Sequence, residues 1–90
     1  MAHFVTHPTP NPNSLKITTH LGTFIEQGME SFGAPAQAEG HPLGAPLFSV
    51  TGVTNVFILP QFLTVTKATD ADWDVILPMV NEILSAHFLK

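Results

Sequence analysis

Val53-Thr54-Asn55-Val56-Phe57-Ile58-Leu59-Pro60-Gln61-Phe62-Leu63-Thr64-Val65-Thr66-Lys67 is the stretch that decides the fold. Residues 53–59 are rich in β-branched and aromatic side chains, which suit a pleated, half-buried surface. Residues 62–67 alternate. Phe62, Thr64 and Thr66 fall on one face, and Leu63, Val65 and Lys67 on the other, which is the period-2 pattern of a strand with one buried side. Two such runs separated by Pro60-Gln61 predict a β-hairpin, although Pro-Gln is not a favoured turn pair.

Downstream, Thr69-Asp70-Ala71-Asp72 places capping oxygens and acids where a helix N-terminus favours them. Trp73, Ile76, Leu77, Val80, Ile83 and Leu84 follow at helical spacing, and His87 and Lys90 sit in the last turns. Pro78 should kink this helix near Asp74. Trp73, Leu77, Val80 and Leu84 are expected to pack on the Leu63/Val65 face, each contributing ~1.5–3 kcal/mol if fully buried.

Upstream, residues 3–7 read as a short strand. Pro8-Thr9-Pro10-Asn11-Pro12-Asn13 then puts three prolines into five residues, which rules out helix and central strand. The two Asn side chains can bond nearby backbone in Asx-turns, so the segment reads as a rigid, ordered loop. Residues 14–19 alternate with Leu15 and Ile17 on one face, and should pair antiparallel with the first strand. Gly22, Gly28, Gly33, Gly40 and Gly44 with Pro35, Pro42 and Pro46 cut up residues 22–46. Residues 23–31 fit a short helix or strand, and residues 33–40 an exposed loop. Leu43, Leu47 and Val50 predict a helix with one buried face, with Pro42 in its first turn and Gly52 as its stop. No repeat or low-complexity tract is present.

The chain has 90 residues, enough for one domain with a modest core, so residues 1–90 are read as a single unit. Charged residues make up 11% and apolar ones 44%, which argues against disorder and leaves some apolar surface exposed as a partner site. The net charge is −4, and the three lysines, Lys16, Lys67 and Lys90, are scattered. Phosphate backbones and anionic membrane surfaces both need clustered Lys or Arg, so neither nucleic acid nor membrane is an expected partner. Without cysteine, the chain cannot form disulfides, zinc–thiolate sites or cysteine-ligated clusters. No basic segment followed by an apolar stretch marks a secretory leader, no apolar run approaches about 20 residues, and the expected compartment is the cytoplasm.

Residues 8–16, Pro-Thr-Pro-Asn-Pro-Asn-Ser-Leu-Lys, resemble the opening signature of the Nfu/NifU-like N-terminal domain. The likeness resumes at Pro42-Leu43, Leu47-Phe48 and residues 50–57, continues through residues 62–67, and closes with Trp73, Leu77-Pro78 and Ile83. Ordered matches over nearly the whole chain are more specific than one motif. Gln61 departs from the family, which tends to carry an acid there, and residues 26–41 resemble nothing specific. The resemblance implies an α+β, two-layer fold: a mainly antiparallel sheet of about four strands with two or three helices packed on one face. It also implies a place in iron–sulfur cluster assembly. In the fuller family architecture the cluster is held by a C-x-x-C motif in a C-terminal domain, for which these ninety residues have no counterpart.

Other chemistry is weakly represented. His3 and His7 are four apart, but in a strand-like segment that spacing does not converge. His20, His41 and His87 lack ligand spacing, so no metal site is expected. Asp70, Asp72 and Asp74 share the D-x-D-x-D spacing of a calcium loop but lack its glycine and downstream glutamate, and helix capping explains them better. The serines sit in no G-x-S-x-G context, and no nucleophile–base set or phosphate loop is readable, so neither a catalytic residue nor a cofactor is expected. The proline–asparagine loop has two readings: a rigid connector, or a preorganised docking surface formed by Asn11, Asn13 and Lys16. The leading expectation is a non-catalytic accessory or protein-docking domain related to iron–sulfur assembly, ligating no cluster itself. Its partners would be assembly or client proteins that carry the cysteines. The alternative is a protein-binding module of the same fold unrelated to clusters.

Overall fold

In the computed structural model, which describes residues 3–89, the alternation at residues 62–67 is realised directly. Leu63 and Val65 are fully buried, while Thr64 and Thr66, alternating with them, are half-buried on the opposite face. Five strands and three helices occur among the described residues: β1 (Phe4–Pro8), β2 (Ser14–Thr19), β3 (Glu30–Phe32), α1 (Pro35–Ala38), α2 (Gly44–Phe48), β4 (Val53–Ile58), β5 (Leu63–Lys67) and α3 (Trp73–Phe88). All strand pairings are antiparallel, in the order β1-β2-β5-β4-β3. The fold is therefore α+β, with one strand more than expected.

The hairpin forms as read. Ile58 pairs with Leu63, the Leu59 N–H donates to the Phe62 carbonyl at 2.8 Å, and Pro60-Gln61 makes the turn. The two-residue length suits antiparallel strands even though the pair is unfavoured. The Pro60 carbonyl is used elsewhere: it accepts from the Phe24 N–H at 3.0 Å and anchors the segment before β3.

The core lies between the sheet and α2 and α3. Ile17, Val56, Ile58, Leu63 and Val65 from the sheet meet Leu43, Leu47 and Val50 around α2 and Ile76, Val80 and Leu84 from α3. The other sheet face carries Lys16, Thr18, Phe57, Phe62, Thr64 and Thr66, alternating with the buried set.

Three expectations are corrected. The first concerns the glycine-broken middle, where the element read over residues 23–31 is a strand confined to its end and a short helix replaces part of the expected loop. Residues 24–28 form bends, and the short edge strand β3 follows, with Phe32 buried. Residues 33–40 are not simply an exposed loop, because α1 buries Ala38 completely. The second concerns α2, which begins only at Gly44. His41 prepares its start by accepting at Nδ1 from the N–H groups of Leu43 (3.1 Å) and Gly44 (2.9 Å). The third concerns the phase of α3. Its buried stripe is Ile76, Val80 and Leu84, whereas Trp73 and Leu77 are half-buried at its margins. Asp72 caps the helix by accepting from the Asp74 N–H at 2.9 Å, and the helix continues through Pro78.

Candidate functional site

The proline–asparagine loop joins β1 to β2. Prolines at 8, 10 and 12 remove three backbone donors, so the remaining polar groups must order the chain. Thr9 Oγ1 lies 2.8 Å from the Asn11 carbonyl and 3.0 Å from that of Ser14, and it accepts from the Asn11 N–H at 3.2 Å. Asn11 Oδ1 accepts from the Asn13 N–H at 2.9 Å, an Asx-turn, and the Ser14 N–H closes on the Asn11 carbonyl at 3.0 Å.

Two residues distant in sequence hold this loop against the rest of the domain. Lys67 donates its backbone N–H to the Asn13 carbonyl at 2.8 Å and its Nζ to Asn13 Oδ1 at 3.0 Å. Trp73 donates its indole N–H to the Pro12 carbonyl at 3.2 Å, and the Lys67 ammonium lies 5.8 Å from the Trp73 ring centroid. A cation over an indole face is attracted by the ring quadrupole. Trp73 is therefore a clamp on the loop and not the core anchor its helical spacing suggested.

Of the three expected docking residues, Asn11 and Asn13 are brought together by their own hydrogen bond. Asn11 is exposed and Asn13 is half-buried under Lys67. Lys16 stands apart on the helix-free face of the sheet, its Nζ 4.7 Å from the Phe62 ring centroid. Thr9, Lys67 and Trp73 were missed as parts of the site. The signal available for Lys67 was its place on the Leu63/Val65 face, which directs it toward α3. Nothing in the sequence marked Thr9.

The histidines separate. His7 Nε2 is hydrogen-bonded to Thr18 Oγ1 at 2.9 Å, and His41 serves α2. The His3 and His20 rings are tilted at 47° to each other with centroids 5.7 Å apart. Among the described residues, no three His, Asp or Glu side chains converge on a point where a metal ion could sit. A thiolate-held cluster does not fit this chain, which offers no thiol.

Known proteins resemble this one along most of its length. The profile of the family "Scaffold protein Nfu/NifU N terminal" matches residues 4–90. The human NFU1 iron-sulfur cluster scaffold homolog, mitochondrial, is 42% identical over 92% of this chain and 33% of that protein. NifU-like protein 4, mitochondrial, of Arabidopsis thaliana is 37% identical over 83% of this chain and 26% of that protein. The chain thus spans about a third or less of the length of these curated relatives. A solution structure of a NifU-like protein from Saccharomyces cerevisiae superimposes with a TM-score of 0.77, at 25% identity, covering 93% of this chain and 76% of that one. A crystal structure of protein SAV1430 from Staphylococcus aureus gives 0.73 at 25% identity, covering 89% and 94%. The mitochondrial names of the curated relatives overturn the cytoplasmic expectation, which rested on a default and on no residue of its own. With a family profile matched from residue 4 to residue 90, the chain belongs to the Nfu/NifU N-terminal scaffold family.

Proposed function

We propose that this chain is a non-catalytic protein-docking domain in iron–sulfur cluster assembly, and that the proline–asparagine loop, with Asn11 and Asn13, and Lys16 on the adjoining strand, is the surface it presents. The mitochondrion is the compartment that the relatives' names favour. The partner is a protein that supplies the cysteines this chain lacks. The observation that supports the reading is the ordering of the loop from both sides, by Thr9 within it and by Lys67 and Trp73 from outside. A loop already held in one conformation loses little entropy when a partner binds, so even modest contacts register as affinity. Asn11 is exposed, and its side-chain oxygen holds the turn.

The double substitution Asn11→Ala with Lys16→Ala tests this. Tagged wild-type and substituted chains are used to capture partners from a mitochondrial extract, with recovery of identified iron–sulfur assembly or client proteins quantified by mass spectrometry. The expected result is reduced recovery of these proteins with little change in melting temperature. Unchanged recovery, or recovery that falls only in step with lost stability, would show that the loop is a structural connector.

A further inference from the structure

Among the described residues nothing covers one flank of α3, and that flank is apolar. Val75 is 61% exposed and Met79 47%. Around the helix, Val75, Met79, Ile83 and Ala86 follow one another on the side away from β1. At the N-terminal end they border a groove floored by Thr51, Gly52, Ala71 and Ile76. At the C-terminal end they border a second groove walled by Pro42, Pro46 and His87. From Val75 to Ala86 the strip runs about 16 Å at 1.5 Å per residue, roughly three turns of an opposing helix.

The rim of this strip has a single sign. Asp70 and Asp72 line the first groove, and Glu82 lies exposed on α3 beside Met79 and Ala86, three and four residues from it. These are three of the chain's seven acids, and no lysine or arginine occurs between residues 68 and 89. We propose that this flank docks an amphipathic helical segment of a protein partner, one whose apolar side chains are bordered by Lys or Arg. The apolar strip supplies the contact area, and the acids select the partner by charge. A second copy of this chain is the wrong occupant. It carries seven acids against three scattered lysines and no arginine, and of those lysines Lys67 is engaged by Asn13 and Lys16 lies over Phe62 on the opposite face of the sheet. Anionic lipid and nucleic acid are repelled by the same acids. The strip contains neither a loop residue nor Trp73, so substitutions within it probe a surface distinct from the loop's.

The experiment is an NMR titration of the isotopically labelled chain with two synthetic helical peptides. Both share one leucine face; one carries lysines along its margins and the other glutamates. The lysine peptide should shift the signals of Val75, Met79, Ile83, Ala86 and Gly52, and the glutamate peptide should bind at least about tenfold more weakly. Val75→Gln and Met79→Gln, both at exposed positions, should each weaken the lysine peptide several-fold. Glu82→Lys should weaken it and flatten its salt dependence, while Val5→Gln on β1 should change nothing. Shifts centred on the loop or on the Phe4/Leu77 side of α3 would overturn the proposal. So would equal binding of the two peptides, indifference to Val75 and Met79, or sedimentation showing that the free chain dimerises through Met79.

Discussion

The indole N–H of Trp73 donates to the carbonyl of Pro12, 61 residues earlier, at 3.2 Å. This bond, with the Lys67–Asn13 pair beside it, joins the first turn of α3 to the loop between β1 and β2. The start of the last helix and the candidate docking loop are thereby one structural unit.

Substitutions at Trp73 should separate the bond from the ring. Trp73→Phe removes the donor and should lower stability by about 0.5–1.5 kcal/mol, the ordinary net worth of a hydrogen bond. Trp73→Ala also removes the ring. Because the ring is only half-buried, the loss should stay below the ~3–5 kcal/mol typical of a buried Trp. Urea denaturation measures both. In each variant the amide signals of Asn11 and Asn13 should move. A loss of core-anchor size with an undisturbed loop would contradict the clamp.

The phase of α3 is tested by three neighbouring positions. Ile76 is 1% exposed, Leu77 half-buried and Met79 47% exposed. Ile76→Ala should destabilise by about 2–5 kcal/mol through lost transfer and a residual cavity. Leu77→Ala should cost less, and Met79→Ala should fall within about 0.5 kcal/mol of the parent. Chemical denaturation that ranked Leu77 above Ile76 would restore the stripe suggested by the heptad-like spacing.

Gly52 has φ +100 at the turn after α2, and a Cβ there would come within 2.9 Å of Ala71 Cβ and 3.2 Å of Ile76 Cδ1. Gly40 has φ +84 with nothing within 4 Å of such an atom. Both alanine variants incur the left-handed backbone cost of about 1–2 kcal/mol. Gly52→Ala adds overpacking worth about 1–3 kcal/mol. It should therefore be the more destabilised of the two by thermal melting, and equal shifts would show that the α3 terminus gives way freely.

The hairpin and the pairing of β1 with β2 were legible because their alternation coincides with burial: Leu63, Val65 and Ile17 are apolar and inside. α3 was legible in extent but not in phase. Trp73, Ile76, Leu77, Val80 and Leu84 all follow at helical spacing, and that spacing alone put Trp73 and Leu77 on the buried stripe. The indole has a polar edge, and the proline loop supplied its acceptor, so the ring settled at the margin. Residues 22–46 were poorly legible because their structure rests on long-range contacts. Pro60 holds Phe24, β3 exists by pairing with β4, and Ala38 is buried by tertiary packing. At the site, Asn11 and Asn13 announced themselves through turn chemistry, whereas Lys67 and Trp73 join them only once the sheet has formed.

Anaerobic reconstitution of this ninety-residue chain with iron and sulfide should leave it colourless, without stoichiometric iron. Fe–S clusters are held chiefly by thiolates, and the chain offers none. A stable visible chromophore with about one cluster per chain or dimer would require ligands of another kind, and elemental analysis with absorption spectroscopy decides it.

His41 tests how the poorly legible region is held together. Its Nδ1 accepts from the N–H groups of Leu43 and Gly44, two of the donors a helix start leaves unpaired, and its ring meets Phe32 edge-on at 5.2 Å. The side chain thus links the start of α2 to the edge strand β3. His41→Ala removes both interactions and should destabilise by about 0.5–2 kcal/mol, the range for loss of a helix cap. Asn and Asp carry a short side-chain acceptor that reaches the same two donors, so His41→Asn should recover most of the loss without the ring. His41→Phe keeps an aromatic ring against Phe32 but offers no acceptor. If capping dominates, Asn outperforms Phe in denaturant midpoint, and the amide protons of Leu43 and Gly44 exchange slowly in the parent and the Asn variant alone. If Phe matches the parent and Asn does not, the ring contact dominates and the two hydrogen bonds are incidental.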